Sequence, residues 1–139
     1  MTYTKDFVLG ALSKTEYPVI KSAVPDVADT VFTPGQLVAI TGQELEDWLK
    51  VAAISTAVTP VSKCVIVTNN QLYAPKSYQV VLSGVVAVPI ASGTTMTAAL
   101  LYDWTNKRFT TTSSASTFDV SSRLRIEQIA GLKASVQFI

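Results

Sequence analysis

Side chains that commonly do chemistry are thinly supplied in this chain. Histidine is absent, which removes the commonest general base near neutral pH and the commonest nitrogen ligand for metals. A Ser-His-Asp or Cys-His arrangement is therefore impossible, and zinc sites of ordinary type are excluded. Two groups of carboxylates stand close in sequence, Glu44-Glu46-Asp47 and Asp26-Asp29. They lie in stretches that read as loops, where such groups form solvated faces. A calcium site built on the first group needs more oxygens at defined spacing, and no EF-hand pattern occurs. Cys64 is the single cysteine, so an internal disulfide and a thiolate cluster are both ruled out. It sits in Cys64-Val65-Ile66-Val67 and reads as a buried hydrophobe. Phosphate-cradling patterns of the GxGxxG or GxxxxGK[ST] type are missing. Trp48 and Trp104 adjoin apolar runs and read as core or interface packing. Lys107-Arg108 reads as a basic hairpin tip, solvated or reaching an acidic patch on a partner. The expectation is a protein that is not an enzyme, with no cofactor and no metal.

The elements that would position these residues hang on one run, Ser77 to Thr112. Tyr78 to Val88 reads as an apolar strand broken only by Ser83 and Gly84, and Pro89 closes it. Ser92-Gly93-Thr94-Thr95 reads as a turn, Met96 to Tyr102 as a second apolar run, and Asp103 to Lys107 as a tight turn in which Asn106 tolerates the left-handed conformation. Arg108 to Thr112 leaves it as a strand rich in β-branched threonine. Upstream, Thr33-Pro34-Gly35 is a turn signal and Leu37 to Ile40 a strand. Two readings of the next segment stay open: an amphipathic helix over Glu44 to Ala53, or a strand from Trp48 to Ile54 that pairs back on Leu37 to Ile40, which is the favoured one. Cys64 to Thr68 is a strand ended by Asn69-Asn70. Ser113 to Ser122 reads as an exposed hydroxyl-rich loop. Leu124 to Ile129 and Ala134 to Ile139 alternate apolar with polar and form a closing hairpin around Gly131.

The fold class is all-β, a small antiparallel barrel or sandwich with an extended N-terminal arm. Residues 1–29 form the arm and residues 30–139 the β-domain. Tyr17-Pro18-Val19-Ile20 reads as extended, since proline pushes its predecessor out of the helical region. Whether this segment lies along a neighbour or packs as a strand on its own sheet stays open. The N-terminal residues lack the sustained apolar core and cleavage site of a secretory signal.

Composition agrees with a body that works through its surfaces. At 139 residues the chain has room for one real core. Hydrophobic residues make up 48% and charged residues 15%, against about 25% charged in an average domain. Mean hydropathy is +0.34, yet the longest apolar runs fall far short of the roughly 18 to 20 residues that span a bilayer. Apolar surface buried between subunits accounts for that excess. Net charge is +1 with no basic block, so neither nucleic acid nor membrane is an expected partner.

Several stretches then resemble the small capsid-decoration, or cement, proteins of tailed bacteriophages. They are Pro34-Gly35-Gln36-Leu37-Val38, Val81 to Pro89, Leu101 to Thr111 and the closing pair Arg125-Ile126-Glu127 with Val136-Gln137-Phe138. The N-terminal arm has no counterpart in that pattern. The resemblance implies a virion protein, made in the host cytoplasm, that binds the major capsid protein on the outer capsid surface. It implies a homo-oligomer, a trimer first, and reinforcement of the shell through many repeated weak contacts. If the arm is the clamp, Tyr3, Phe7 and Tyr17 are the anchors, because aromatic residues carry disproportionate interface energy. Lys107 and Arg108 are the interface candidates on the body. The alternatives are a ligand- or receptor-binding β module of a phage tail or surface adhesin, and a ring-forming tail or neck component.

Overall fold

The computed structural model describes residues 19–28, 30–43, 48–57, 60–71 and 77–139. Among the described residues eleven strands run in chain order: β1 (Val19–Pro25), β2 (Leu37–Gln43), β3 (Leu49–Ala53), β4 (Cys64–Gln71), β5 (Tyr78–Ser83), β6 (Val85–Pro89), β7 (Leu101–Asp103), β8 (Arg108–Thr110), β9 (Thr117–Asp119), β10 (Leu124–Ala130) and β11 (Lys133–Phe138). The first five close a barrel in the order β1-β3-β2-β4-β5, and the rest form two three-stranded sheets, β10-β11-β6 and β8-β7-β9. The protein is all-β, as its composition and turn signals predict.

Two apolar clusters explain why the barrel strands look the way they do. Val38, Val51, Val65, Val67, Val80 and Ala23 come from all five barrel strands and fill its interior together with Phe32 and Tyr78. Their chain neighbours Leu37, Cys64, Ile66 and Val81 point the other way, into a larger cluster shared with both small sheets. Successive strand residues face opposite sides, so β2 at its start, β4 over its first half and β5 at its centre are buried on both faces. Continuous apolar runs such as Cys64-Val65-Ile66-Val67 are what that environment selects. Cys64 is 1% exposed, a buried hydrophobe as its neighbours imply.

Several boundaries differ from the sequence reading, each for a local reason. Of the two readings left open for the segment before Thr30, residues 19–25 adopt the strand on the chain's own sheet: β1 is a barrel strand, antiparallel to β5 and parallel to β3. The barrel therefore includes Val19–Pro25, which precede Thr30. Only Ala23 of β1 is fully buried, so the strand carries little apolar signal of its own. The run Tyr78 to Val88 is two strands rather than one. Gly84 divides it with φ +98, a conformation that favours glycine. Before it β5 belongs to the barrel; after it β6 pairs with β11, and the Gly84 carbonyl already accepts a bond from Phe138 N–H at 3.0 Å.

Between Leu37 and Ala53 the hairpin is the form adopted: β3 runs antiparallel to β2, with Ile40 opposite Val51. β4 continues to Gln71, past the turn expected at Asn69-Asn70. Met96 to Leu100 is not strand, and β7 starts only at Leu101. Residues 113–122 are not all loop. Thr117–Asp119 adds to β7, and Phe118 packs edge-on against Tyr102 at 6.2 Å. The closing hairpin forms as read, with Gly131 at φ +64 and a bulge between Ile126 and Gln128.

Gly35 joins the barrel to the β6 sheet. Its N–H donates to the Val67 carbonyl at 2.7 Å. With φ +83, a Cβ built on it would stand 2.4 Å from Pro89 Cδ.

Candidate interaction surface

The basic tip predicted at Lys107-Arg108 exists and is exposed. It lies where β7 turns into β8, with Asp103 opposite Arg108. Asp103 builds the turn. Its carboxylate accepts from Thr105 N–H at 3.1 Å, Asn106 N–H at 3.2 Å, the Asn106 side-chain amide at 2.8 Å and the Ser116 hydroxyl at 2.8 Å. Burial by itself would raise this carboxyl, but the bonds from Asn106, Ser116 and Thr105 outweigh it and hold it below the ordinary range. Because Asn106 is committed to Asp103, the left-handed residue is its neighbour, Lys107, at φ +56. The two cationic side chains thus project from a braced turn.

A second exposed feature lies at the other end of β8. The segment Thr95 to Ala99 is exposed throughout and displays Met96 at 55%. It is fastened by Thr94 Oγ1 donating to the Ala91 carbonyl at 2.7 Å and by Thr95 N–H donating to Thr111 Oγ1 at 3.2 Å. Val27, Val31 and Leu132 also stand exposed.

The third feature is an open cleft of about 650 Å³ where β1 begins and β5 ends, beside the end of β11. Val19, Leu82, Phe138 and Ile139 give it apolar walls, and Arg123 gives it a charge. One Nη of Arg123 donates to the Ser62 carbonyl and the other to the Leu82 carbonyl at 3.3 Å. The guanidinium carbon lies 5.2 Å from the centre of the Phe138 ring, within cation–π range. Among the described residues the ion pair is Arg125–Glu127 at 2.7 Å, and no carboxylate pairs with Arg123. Sequence reasoning missed this site because both Arg123 contacts are backbone carbonyls far away in the chain, which carry no residue-type signal.

Tyr3, Phe7 and Tyr17 lie outside the described residues, as do Glu44, Glu46, Asp47 and Asp29. Asp26 is exposed just after β1. Trp48 and Trp104 are half-buried; Trp104 packs against the larger cluster, its ring 6.0 Å from Phe118. Among the described residues no three metal-ligating side chains gather in one place, and no helix is long and apolar enough to cross a membrane. Lys107 and Arg108 are therefore brought together at one tip, while the cleft and the Met96 segment are separate surfaces.

No family model, curated protein or solved structure matches the chain.

Proposed function

We propose that the protein is a non-enzymatic virion structural protein, a decoration or cement protein that binds the outer surface of a phage capsid and stabilises the shell. One observation carries the reading: large apolar side chains stand outside a body whose two cores are filled without them. Val27, Val31, Met96 and Leu132 are each more than half exposed. Such side chains gain free energy only when a second surface covers them, about 25 cal/mol for each Å² removed from water. The braced Lys107-Arg108 tip adds a charged contact that fixes orientation more than it adds affinity. The likeness in the stretches from Pro34 to Phe138 supplies the partner class, the major capsid protein. It also supplies the homo-oligomer, a trimer, as the assembly that repeats these contacts around a local symmetry axis.

The test is the native mass of the purified protein, followed by co-sedimentation with mature and immature shells. The expected result is a defined oligomer that sediments with shells. A monomer that ignores both forms overturns the proposal, and binding of that monomer to a glycan would move the assignment to a receptor-binding module.

A further inference from the structure

We infer that the cleft around Arg123 binds a monocarboxylate carried on an apolar chain, a ligand of the fatty-acid class. The cleft opens where the chain leaves the barrel. β5 ends at Ser83, Gly84 turns with φ +98, and β6 joins the sheet with β11. Leu82, Ser83 and Gly84 line the cleft for that reason. Its volume of about 650 Å³ suits a small ligand, for which sites run to roughly 300 to 1,000 Å³.

Arg123 supplies the reason for a carboxylate. Three parts of the chain hold its guanidinium: the carbonyls of Ser62 and Leu82 accept from it, and the Phe138 ring lies against it at 5.2 Å. A guanidinium has five N–H donors, so these two bonds leave three. Both acceptors are neutral, and no carboxylate pairs with Arg123 among the described residues. The charge is therefore fixed in place and uncompensated. A planar carboxylate completes it with paired, charge-assisted bonds. The walls supply the reason for an apolar chain. Val19 is 52% and Ile139 68% exposed, with Leu82 and Phe138 beside them. A bare anion leaves these side chains in water, whereas each methylene laid on them strengthens binding roughly fourfold. One cation beside an apolar wall selects one carboxylate, since a second would face the wall. This inference does not rest on the capsid reading, and its test involves no shell.

The test titrates octanoate into the full chain and follows the amide resonances of Leu82, Ser83, Gly84, Arg123 and Ile139. Saturable shifts at these positions are expected. Octan-1-ol, which keeps the chain and lacks the charge, should bind about tenfold more weakly or worse, as should butanoate, which keeps the charge and shortens the chain. Ser122→Glu, at an exposed lining position, offers Arg123 a carboxylate from the protein itself. It should weaken octanoate about tenfold with the β3 and β7 resonances unmoved. Arg123→Gln should do the same but also loses the two carbonyl contacts, so Ser122→Glu is the deciding variant. The inference is overturned if octanoate produces no saturable shift in the cleft, or if octan-1-ol binds as tightly. Full affinity in Ser122→Glu overturns it as well, as do shifts confined to the exposed Met96 segment.

Discussion

Tyr102 and Asp103 are adjacent and show opposite answers to burial. The Tyr102 hydroxyl is in the core, close to the Leu37 backbone but, among the described residues, with no partner in full hydrogen-bonding geometry. Burial drives its phenol far above the ordinary value, which the neighbouring Leu37 backbone only partly offsets. Removing an unsatisfied buried group recovers its desolvation penalty, so Tyr102→Phe should leave stability unchanged or raise it by about 1 kcal/mol. Urea unfolding measures this, and a clear loss would mean that the hydroxyl has a partner in solution. Asp103 is saturated instead. Its carboxyl titrates lower in the folded chain than in the unfolded one, so its contribution is complete above the unfolded value of about 3.9 and fades as pH falls through the folded value. Asp103→Ala should cost about 1 to 3 kcal/mol at neutral pH by orphaning the turn donors, and the cost should shrink in acid. Denaturation at pH 7 and pH 3 checks the sign. The residue types in this turn were legible, since Asp103 and Asn106 are turn formers. Which of them would be left-handed was not, because that depends on where the Asn106 amide spends its bonds.

At the level of elements, much was legible where one face of a strand is wet. The β10–β11 hairpin shows plain alternation, and its turn has the expected glycine. The barrel was harder to read. Strands buried on both faces lose their alternation, so β5 and β6 looked like one strand and only the Gly84 backbone separates them. β1 stayed one of two open readings for the opposite reason, since it contributes one small buried side chain and finds its partners far along the chain. Glycine substitutions test how the pieces are joined. Gly35→Ala combines a left-handed backbone with a collision against Pro89 and should cost about 2 kcal/mol or more. Gly93→Ala has a similar φ of +85 but open space around the new methyl, so only the backbone strain of about 1 kcal/mol remains. Thermal unfolding of both variants compares the two terms directly; equal losses would mean that the Gly35–Pro89 approach relaxes freely.

The scale of the whole molecule is where the sequence was least informative. Arg123 could not be singled out, because its partners are carbonyls that any residue could supply. The proposed grip on a shell can be dissected there. Deleting Met1 to Tyr17 should abolish capsid binding if the arm is the clamp, while leaving the body folded. Co-sedimentation and circular dichroism read the two halves of that expectation. Unchanged binding would move the grip to the Met96 segment and the Lys107-Arg108 tip.

The barrel closes at its first strand, and this has a bearing on how the protein is made. On the ribosome β1 emerges early but cannot complete its pairing until β5 has followed it, because Ala23 registers with Tyr78 and Lys21 with Val80. The local β2–β3 pair can form before then. Closure by long-range contacts places the chain with the slower folders, on the order of milliseconds to seconds. During that wait the edge of β1 that will meet β5 is open, and its neighbours in a crowded cell include other nascent copies. A strand whose pairing is completed last is also one readily lent to another chain.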